Sequence, residues 1–146
     1  MVVRSMLVVA TLLFVGAVAA VNGARPTPQD PAPAAGTRGW QIPEGARDEA
    51  NPIAASPEVL EKGKKIYTSK CQRCHGPGGK GDGPDADGDM PPDDLTDASR
   101  AARNPDGVMF YKVWNGRRSP KMPAFKSEIT KDEAWTVVTY AKSLRK

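Results

Sequence analysis

Residues 71–75 have the sequence Cys71-Gln72-Arg73-Cys74-His75, in which two cysteines are separated by two residues and followed at once by a histidine. On a helix this spacing puts the two thiols about one turn apart, with the imidazole beside the second thiol. C-x-x-C-H is the pattern of covalent haem attachment, where the two thiols bond to the vinyl groups and the imidazole binds the iron. The motif therefore predicts one haem c held by Cys71, Cys74 and His75.

Other uses of this pattern fit the chain less well. A redox dithiol of the thioredoxin type belongs to a βαβ unit, and no such pattern surrounds Cys71. A structural zinc site needs four strong ligands, whereas the whole chain contains two cysteines and one histidine. The formal net charge of +4 is mild and does not indicate a nucleic-acid partner.

The first residues of the chain have the pattern of a secretory leader. Residues 1–4 carry a positive charge, an apolar run follows, and small residues suited to a peptidase lie before residue 24. We predict a signal peptide over residues 1–24 and a periplasmic protein. An uncleaved N-terminal anchor is less favoured, because the apolar run is shorter than the ~20 residues that span a bilayer. Membrane attachment is expected only if the leader is retained.

Two further segments follow the leader. Residues 25–56 are rich in proline and lack an apolar period, which predicts a linker or a strap. Trp40 and Ile42 could anchor part of this segment to the domain, and the sequence alone leaves that open. Residues 57–146 are predicted to form the single domain.

Helix signals dominate the domain. Ser56-Pro57-Glu58 predicts the start of a helix whose apolar face leads into Cys71, and the capping box at Thr130 predicts the last helix. Asn104-Pro105-Asp106 predicts the cap of a helix that ends at Gly116. Residues 76–97 are rich in glycine, proline and aspartate and predict a long irregular loop. Because no segment shows clear strand alternation, we predict an all-α fold.

The second axial ligand of a haem must come from outside the motif, and His75 is the chain's only histidine. The candidates are a methionine, a weaker group or an empty position. Met109 falls on the core face of a predicted helix and Met90 in the acidic loop, whereas Met122 precedes Pro123, which favours an extended backbone. We predict Met122, whose thioether would raise the reduction potential and leave no open position on the iron.

Taken together, these motifs resemble the class I monohaem cytochromes c of the periplasmic bacterial type, and the cytochrome c domains of bacterial oxidases and dehydrogenases. The residues that carry the resemblance are Gly63, Tyr67, Cys71 to Gly76, Gly79 to Pro84, Pro92, Leu95, Thr96, Met122 to Phe125, Val137 and Tyr140. The resemblance implies a class I cytochrome c fold, in which the first and last helices cross at Gly63. It also implies that a proline carbonyl accepts the second N–H of His75, and the matching residue is Pro92 or, less well, Pro91.

The function that follows is one-electron transfer between exported redox proteins, such as a dehydrogenase, an oxidase or another cytochrome, with no catalysis by the protein itself. Five cations flank the predicted ligands and favour partners with an acidic docking surface, although ordinary solvated surface is the alternative: Lys70, Arg73, Arg117, Arg118 and Lys121. A second hypothesis is a haem c subunit tethered to a periplasmic dehydrogenase or terminal oxidase. A haem peroxidase or gas sensor would require that Met122 does not bind the iron.

Overall fold

The computed structural model describes residues 39–146. The predicted signal peptide and the first part of the predicted linker lie outside the described residues, and the division of the chain at residues 24 and 56 stays a prediction. Four α-helices follow one another: α1 over Pro57–Lys70, α2 over Gln72–His75, α3 over Asp106–Asn115 and α4 over Lys131–Ser143. Two 3-10 helices cover Glu44–Arg47 and Ala98–Arg103.

Within the described part of the chain there is no β-strand, only an isolated antiparallel bridge between Arg117 and Met122. The all-α prediction is therefore confirmed for this part. The acidic segment up to residue 97 is irregular, as predicted. None of the helices over residues 39–146 is both long enough and apolar enough to cross a membrane.

Local signals explain where two of the helices begin. The hydroxyl of Ser56 accepts a hydrogen bond from the N–H of Val59 at 3.2 Å, which caps α1. At the start of α4 the Thr130 hydroxyl accepts from the N–H of Glu133, and the Glu133 carboxylate accepts from the N–H of Thr130. Both caps confirm the sequence predictions.

Helix α3 begins where the sequence predicted, but the predicted side-chain cap is wrong. Pro105 is the capping residue and makes no side-chain cap. The Asn104 side chain is used elsewhere, since its carbonyl oxygen accepts from the Lys112 ammonium at 2.6 Å and its amide donates to the Arg100 carbonyl at 3.2 Å. Proline at the cap fixes the extended backbone that precedes the helix.

Helices α1 and α4 cross in close contact at Gly63. A Cβ at this glycine would lie 2.6 Å from Cβ of Tyr140 and 2.8 Å from the Thr136 carbonyl oxygen, so only glycine allows the approach. One turn later the rings of Tyr67 and Tyr140 contact each other, with their centroids 5.4 Å apart. The predicted crossing of the first and last helices is confirmed, and it places the end of α1 on α4.

Helix α3 lies between two apolar clusters. On one side it contributes to a core with α4, where the rings of Phe110 and Trp135 stack with centroids 4.1 Å apart. That core contains Met109, Phe110, Ala134, Trp135, Val138 and Ala141. On the other side Val108 packs with three residues that precede the predicted domain, namely Trp40, Ile42 and Ala46.

We call residues 39–48 the strap. The four buried residues Trp40, Ile42, Ala46 and Val108 are the strap cluster. Ile42 and Val108 are fully buried within it. Gly107 allows the strap to approach, because a Cβ there would overlap the carbonyl of Ala46. The question left open by the sequence is answered for these residues, since the strap is packed against the domain.

The crossing at Gly63 can be tested by adding one methyl group. Gly63→Ala should lower the free energy of unfolding of the haem-loaded protein by about 1–2 kcal/mol, measured by denaturant titration. Overpacking against a Cβ and a carbonyl oxygen this close costs about 2–3 kcal/mol, the upper part of the usual range, and the better helix propensity of alanine returns about 1 kcal/mol. Gly45→Ala is the control, because a Cβ at Gly45 meets no atom within 4 Å. Equal stabilities of the two variants would contradict the close crossing.

Candidate haem site

The predicted attachment residues lie on one turn at the end of α1. Cys71 ends α1, with its N–H donating to the carbonyl of Tyr67 at 2.8 Å. The N–H groups of Cys74 and His75 then donate to the Cys71 carbonyl at 3.2 Å and 2.9 Å. This backbone holds two thiols and an imidazole together on a single helical turn, as the spacing predicted. Gly76 ends the turn with a positive φ of 76°.

The loop after α2 folds back onto this turn. The N–H of Gly81 donates to the carbonyl of His75 at 2.9 Å, and the N–H of Gly83 donates to the carbonyl of Cys74 at 3.2 Å. The N–H of Asp85 reaches the Arg73 carbonyl at 2.8 Å. These three bonds satisfy carbonyl groups that a four-residue helix leaves without intrahelical partners. The attachment turn is thereby fixed by the chain that follows it.

The Cys71 thiol and the His75 imidazole lie in surroundings that disfavour charge. Burial, together with the neighbouring Cys74, raises the pKa of the Cys71 thiol to about 12. Cys71 and Cys74 are not joined by a disulfide. Burial lowers the pKa of His75, an effect opposed by the charge and backbone of Asp93. The imidazole is thus kept in its neutral form, which is the form that binds a metal.

His75 also has an unsatisfied atom. Its Nδ1 is buried and has no hydrogen-bond partner among the described residues, although the Asp93 backbone influences the pKa of the ring. Buried polar side-chain atoms nearly always have a partner, so this unpartnered nitrogen fits a ring that is held to bind a ligand. Two adjacent thiols and a neutral imidazole fit a covalently attached haem.

Pro92, the predicted hydrogen-bond acceptor for His75, lies in the loop that folds back onto the attachment turn. Its carbonyl lies against Gly81, where an added Cβ would overlap the oxygen. The backbone that influences the imidazole belongs to Asp93. The role of Pro92, or of Pro91, stays a prediction.

Met122 lies on a separate segment, which leaves the end of α3 and turns back on itself. Its N–H donates to the carbonyl of Arg117 at 3.0 Å, and its carbonyl accepts from the N–H of Arg117 at 2.8 Å. Gly116 allows the tight exit from α3, with a positive φ of 58° and a Cβ position that would overlap the Met122 carbonyl. The Met122 side chain is half-buried and packs against the strap cluster.

The same segment is tied to α3 beyond Met122. The N–H of Phe125 donates to the Val113 carbonyl at 3.1 Å, and the N–H of Lys126 donates to the Trp114 carbonyl at 3.3 Å. We call residues 116–126 the methionine segment. Its backbone is therefore held at both ends by the last turn of α3.

The other two methionines are placed differently. Met109 is buried in the core shared by α3 and α4, and the Arg145 guanidinium contacts its sulfur at 3.1 Å. Met90 is an exposed residue of the acidic loop, with 48% of its surface accessible. Of the three methionines in the described residues, Met122 alone is half-buried on an extended segment.

The sequence did not identify Trp40 and Lys112 as neighbours of the methionine segment. The Trp40 ring lies below the Arg117 guanidinium, 4.6 Å from its centroid, and Lys112 approaches the same ring at 5.3 Å. Burial lowers the pKa of Lys112 to about 8, and Asp93 opposes the shift. Only the three-dimensional arrangement brings these residues together, because Trp40 is more than seventy residues away in sequence.

The five cations that were predicted to surround the site are not equivalent. Lys70 forms an ion pair with Glu128 at 2.7 Å, and Arg73 makes two hydrogen bonds to the Asp85 carboxylate at 2.7 Å and 3.1 Å. Arg118 and Lys121 are exposed residues of the methionine segment. The positive charge of Lys70 and Arg73 is partly neutralised by acidic neighbours that are distant in sequence.

A family model described as "Cytochrome C oxidase, cbb3-type, subunit III" matches residues 58–140. No curated protein sequence matches the chain. Among solved structures, a chain of the Kuenenia stuttgartiensis reducing HAO-like protein complex Kustc0457/Kustc0458 is similar with a TM-score of 0.57 and 30% identity. That match covers 65% of this chain and 47% of the other, so the chain spans about half of that relative.

Two further structures are similar. The KustC0563 c-type cytochrome has a TM-score of 0.51 and 26% identity, over 57% of this chain and 98% of the other. Cytochrome CL from the marine methylotroph Methylophaga aminisulfidivorans MPT has a TM-score of 0.49 and 21% identity, over 62% of this chain and 56% of the other.

The contact between Tyr67 and the attachment turn generates a pH-dependent prediction. The buried Tyr67 hydroxyl donates to the Gly76 carbonyl at 2.8 Å, and burial is the largest of the effects that raise its pKa above the ordinary value of 10.0. Tyr67→Phe should therefore cost about 1–3 kcal/mol of stability near neutral pH, because a buried carbonyl loses its donor.

The difference in free energy of unfolding between the wild type and Tyr67→Phe should then become smaller in alkaline solution. Above about pH 10 the unfolded wild-type chain releases the Tyr67 proton while the folded protein retains it, so the wild type loses up to about 1.4 kcal/mol per pH unit relative to the variant. Denaturant titrations of both haem-loaded proteins at about pH 8 and about pH 11 measure this. A difference that stays constant over this range would contradict the burial of Tyr67.

Proposed function

Since the chain belongs to the cytochrome c family whose model is described as cytochrome C oxidase, cbb3-type, subunit III, we propose that it is a one-electron carrier between exported redox proteins. The family and the c-type cytochromes of similar structure imply that the chain binds haem c covalently, and they support a part in electron transfer. The ligands, the partners and the absence of catalysis are the proposed parts.

The attachment turn supports the first part of the proposal. Cys71 and Cys74 would form the two thioether bonds to the haem, and His75 would bind its iron through a ring nitrogen. When bound, haem c supplies a ferric–ferrous couple that accepts and donates a single electron. The protein's contribution is to hold three donor groups on one turn whose carbonyls are already bonded to Gly81, Gly83 and Asp85.

The observation that carries the proposal is the rigid placement of Met122. Four backbone hydrogen bonds fix its segment to Arg117 and to the end of α3, so its position does not depend on a free loop. The competing methionines are poorly suited, since Met109 fills the core and Met90 is exposed. A thioether from Met122 stabilises the reduced state relative to a nitrogen ligand.

Filled axial positions favour a carrier over an enzyme. With His75 and Met122 both bound, no coordination position is left for peroxide or a diatomic gas. A peroxidase or a gas sensor would need Met122 to be absent from the iron.

A subunit role is the second candidate. The family description names an oxidase subunit, and the first similar structure belongs to a protein complex. The strap, which lies within the predicted linker, also packs on the domain, and this suits a domain attached to a larger assembly. Copurification at fixed stoichiometry with a dehydrogenase or oxidase would favour this role over that of a free carrier.

Met122 can be tested by the near-infrared spectrum of the oxidised, haem-loaded protein. We expect a weak sulfur-to-iron charge-transfer band in the wild type and its complete loss in Met122→Ala, accompanied by a lower reduction potential. Met90→Ala is the matched control and should keep both the band and the potential. A wild type without the band, with high-spin features or carbon monoxide binding on reduction, would overturn the carrier proposal.

Docking through positive charge can be tested with a small anionic oxidant. Oxidation of the reduced protein by ferricyanide should slow as ionic strength rises, because attraction between unlike charges is screened by salt. The double variant Arg118→Gln/Lys121→Gln should lower the low-salt rate about two- to fivefold, whereas Lys64→Gln on α1 should not. Rates that do not depend on salt would contradict an electropositive docking surface at this position.

A further inference from the structure

We propose that the strap holds Met122 on the iron, with Trp40 as a positioning residue for the axial ligand. This inference rests on the proposed ligation by Met122. Trp40, Arg117 and Met122 form a continuous series of contacts, in which the tryptophan ring supports the guanidinium and the arginine backbone pairs with the methionine backbone. The strap then determines how often the methionine leaves the iron.

The first contact joins the strap to the methionine segment. The Arg117 guanidinium lies over the Trp40 ring at 4.6 Å from its centroid, and tryptophan is the aromatic residue that binds a cation most strongly. Trp40 itself is only 6% exposed and Nε of Arg117 is buried, so the contact between ring and guanidinium has little access to water. The strap also approaches the tip of the turn, since a Cβ at Gly39 would lie 3.8 Å from the Ser119 carbonyl oxygen.

The second contact carries this restraint to Met122. Arg117 and Met122 are directly opposite each other in an antiparallel bridge closed by two backbone hydrogen bonds. A displacement of the Arg117 backbone therefore displaces the Met122 backbone with it. The Met122 side chain in turn packs on the cluster that contains Trp40 and Ile42, so the strap restrains both the backbone and the side chain of this residue.

The strap can position Met122 without supporting the whole fold, because its contacts are separate from the main helical core. The core between α3 and α4 is formed by other residues, on the opposite side of α3. Loosening the strap should then open the bond between Met122 and iron more than it lowers the stability of the helices. The bound and open forms of the methionine segment are two states whose ratio the strap contacts set.

The experiment measures imidazole binding to the oxidised, haem-loaded full chain, because exogenous imidazole binds the iron only when Met122 has left it. Trp40→Ala should increase the apparent imidazole affinity about tenfold, and it should weaken the near-infrared charge-transfer band at elevated temperature. Trp40→Phe keeps a buried ring and should restore most of the wild-type behaviour. Arg117→Gln, which leaves the backbone bridge in place, should give a smaller increase and serves if Trp40→Ala fails to fold.

Val138→Ala is the control for global destabilisation, since Val138 is fully buried in the other core. Its imidazole affinity should match the wild type. If Val138→Ala raises the affinity as much as Trp40→Ala, or if the strap variants leave it unchanged while the band is present, the strap inference is wrong and Met122 ligation stands. If the wild type lacks the band and Met122→Ala behaves identically, the ligation proposal itself has failed.

Discussion

The carbonyl groups of the attachment turn impose the constraint on which the site depends. Helix α2 is four residues long, so its last carbonyls have no N–H partner within the helix and need partners from elsewhere in the chain. The chain meets this demand by returning at once and donating three N–H groups from Gly81, Gly83 and Asp85. Gly81 has a positive φ of 80°, and a Cβ at Gly83 would overlap the Arg73 carbonyl. The glycines of this loop therefore serve the geometry of the turn.

The position of the turn within the molecule depends on a second close contact. Helix α1 ends in Cys71, and the approach at Gly63 fixes α1 against α4. Tyr67 links the helix crossing to the attachment turn. Its ring packs on Tyr140, and its hydroxyl donates to the carbonyl of Gly76, just beyond His75. A shift of α1 along α4 would break both contacts and move the thiols with it. The packing of α1 on α4 therefore also determines where the thiols and the imidazole lie.

Features that depend on neighbouring residues in sequence were predictable. The caps at Ser56 and Thr130 involve residues three positions away, and the turn that carries Cys71 to His75 follows from spacing alone. Asn104 shows the limit of such signals. Its side chain had the chemistry of a cap, but a buried ammonium on Lys112 bound it instead. The competing partner became available only when the helix had folded.

Contacts between distant residues were predictable only where the family resemblance implied them, as at the crossing of α1 and α4 at Gly63. The ion pair of Lys70 with Glu128 joins residues 58 positions apart, and it changes the charge presented beside the thiols. The sequence left open whether the strap packs on the domain, since its apolar residues lie among glycines and Pro43 and show no apolar period. Two apolar residues, Trp40 and Ile42, were enough to bury it, because Gly107 on α3 leaves room for its backbone. Burial here reflects the shape of the receiving surface more than the composition of the segment.

Helix α3 brings these constraints together. It is ten residues long, yet one side packs in the core with α4, the other side packs on the strap, and its last carbonyls hold the methionine segment. A short helix has little stability of its own in water, so its position is set by the two surfaces that it contacts. The placement of Met122 therefore depends on residues from both ends of the described chain. A folded unit cut at residue 57 would retain every predicted ligand and lose one of the two surfaces that position the second axial ligand.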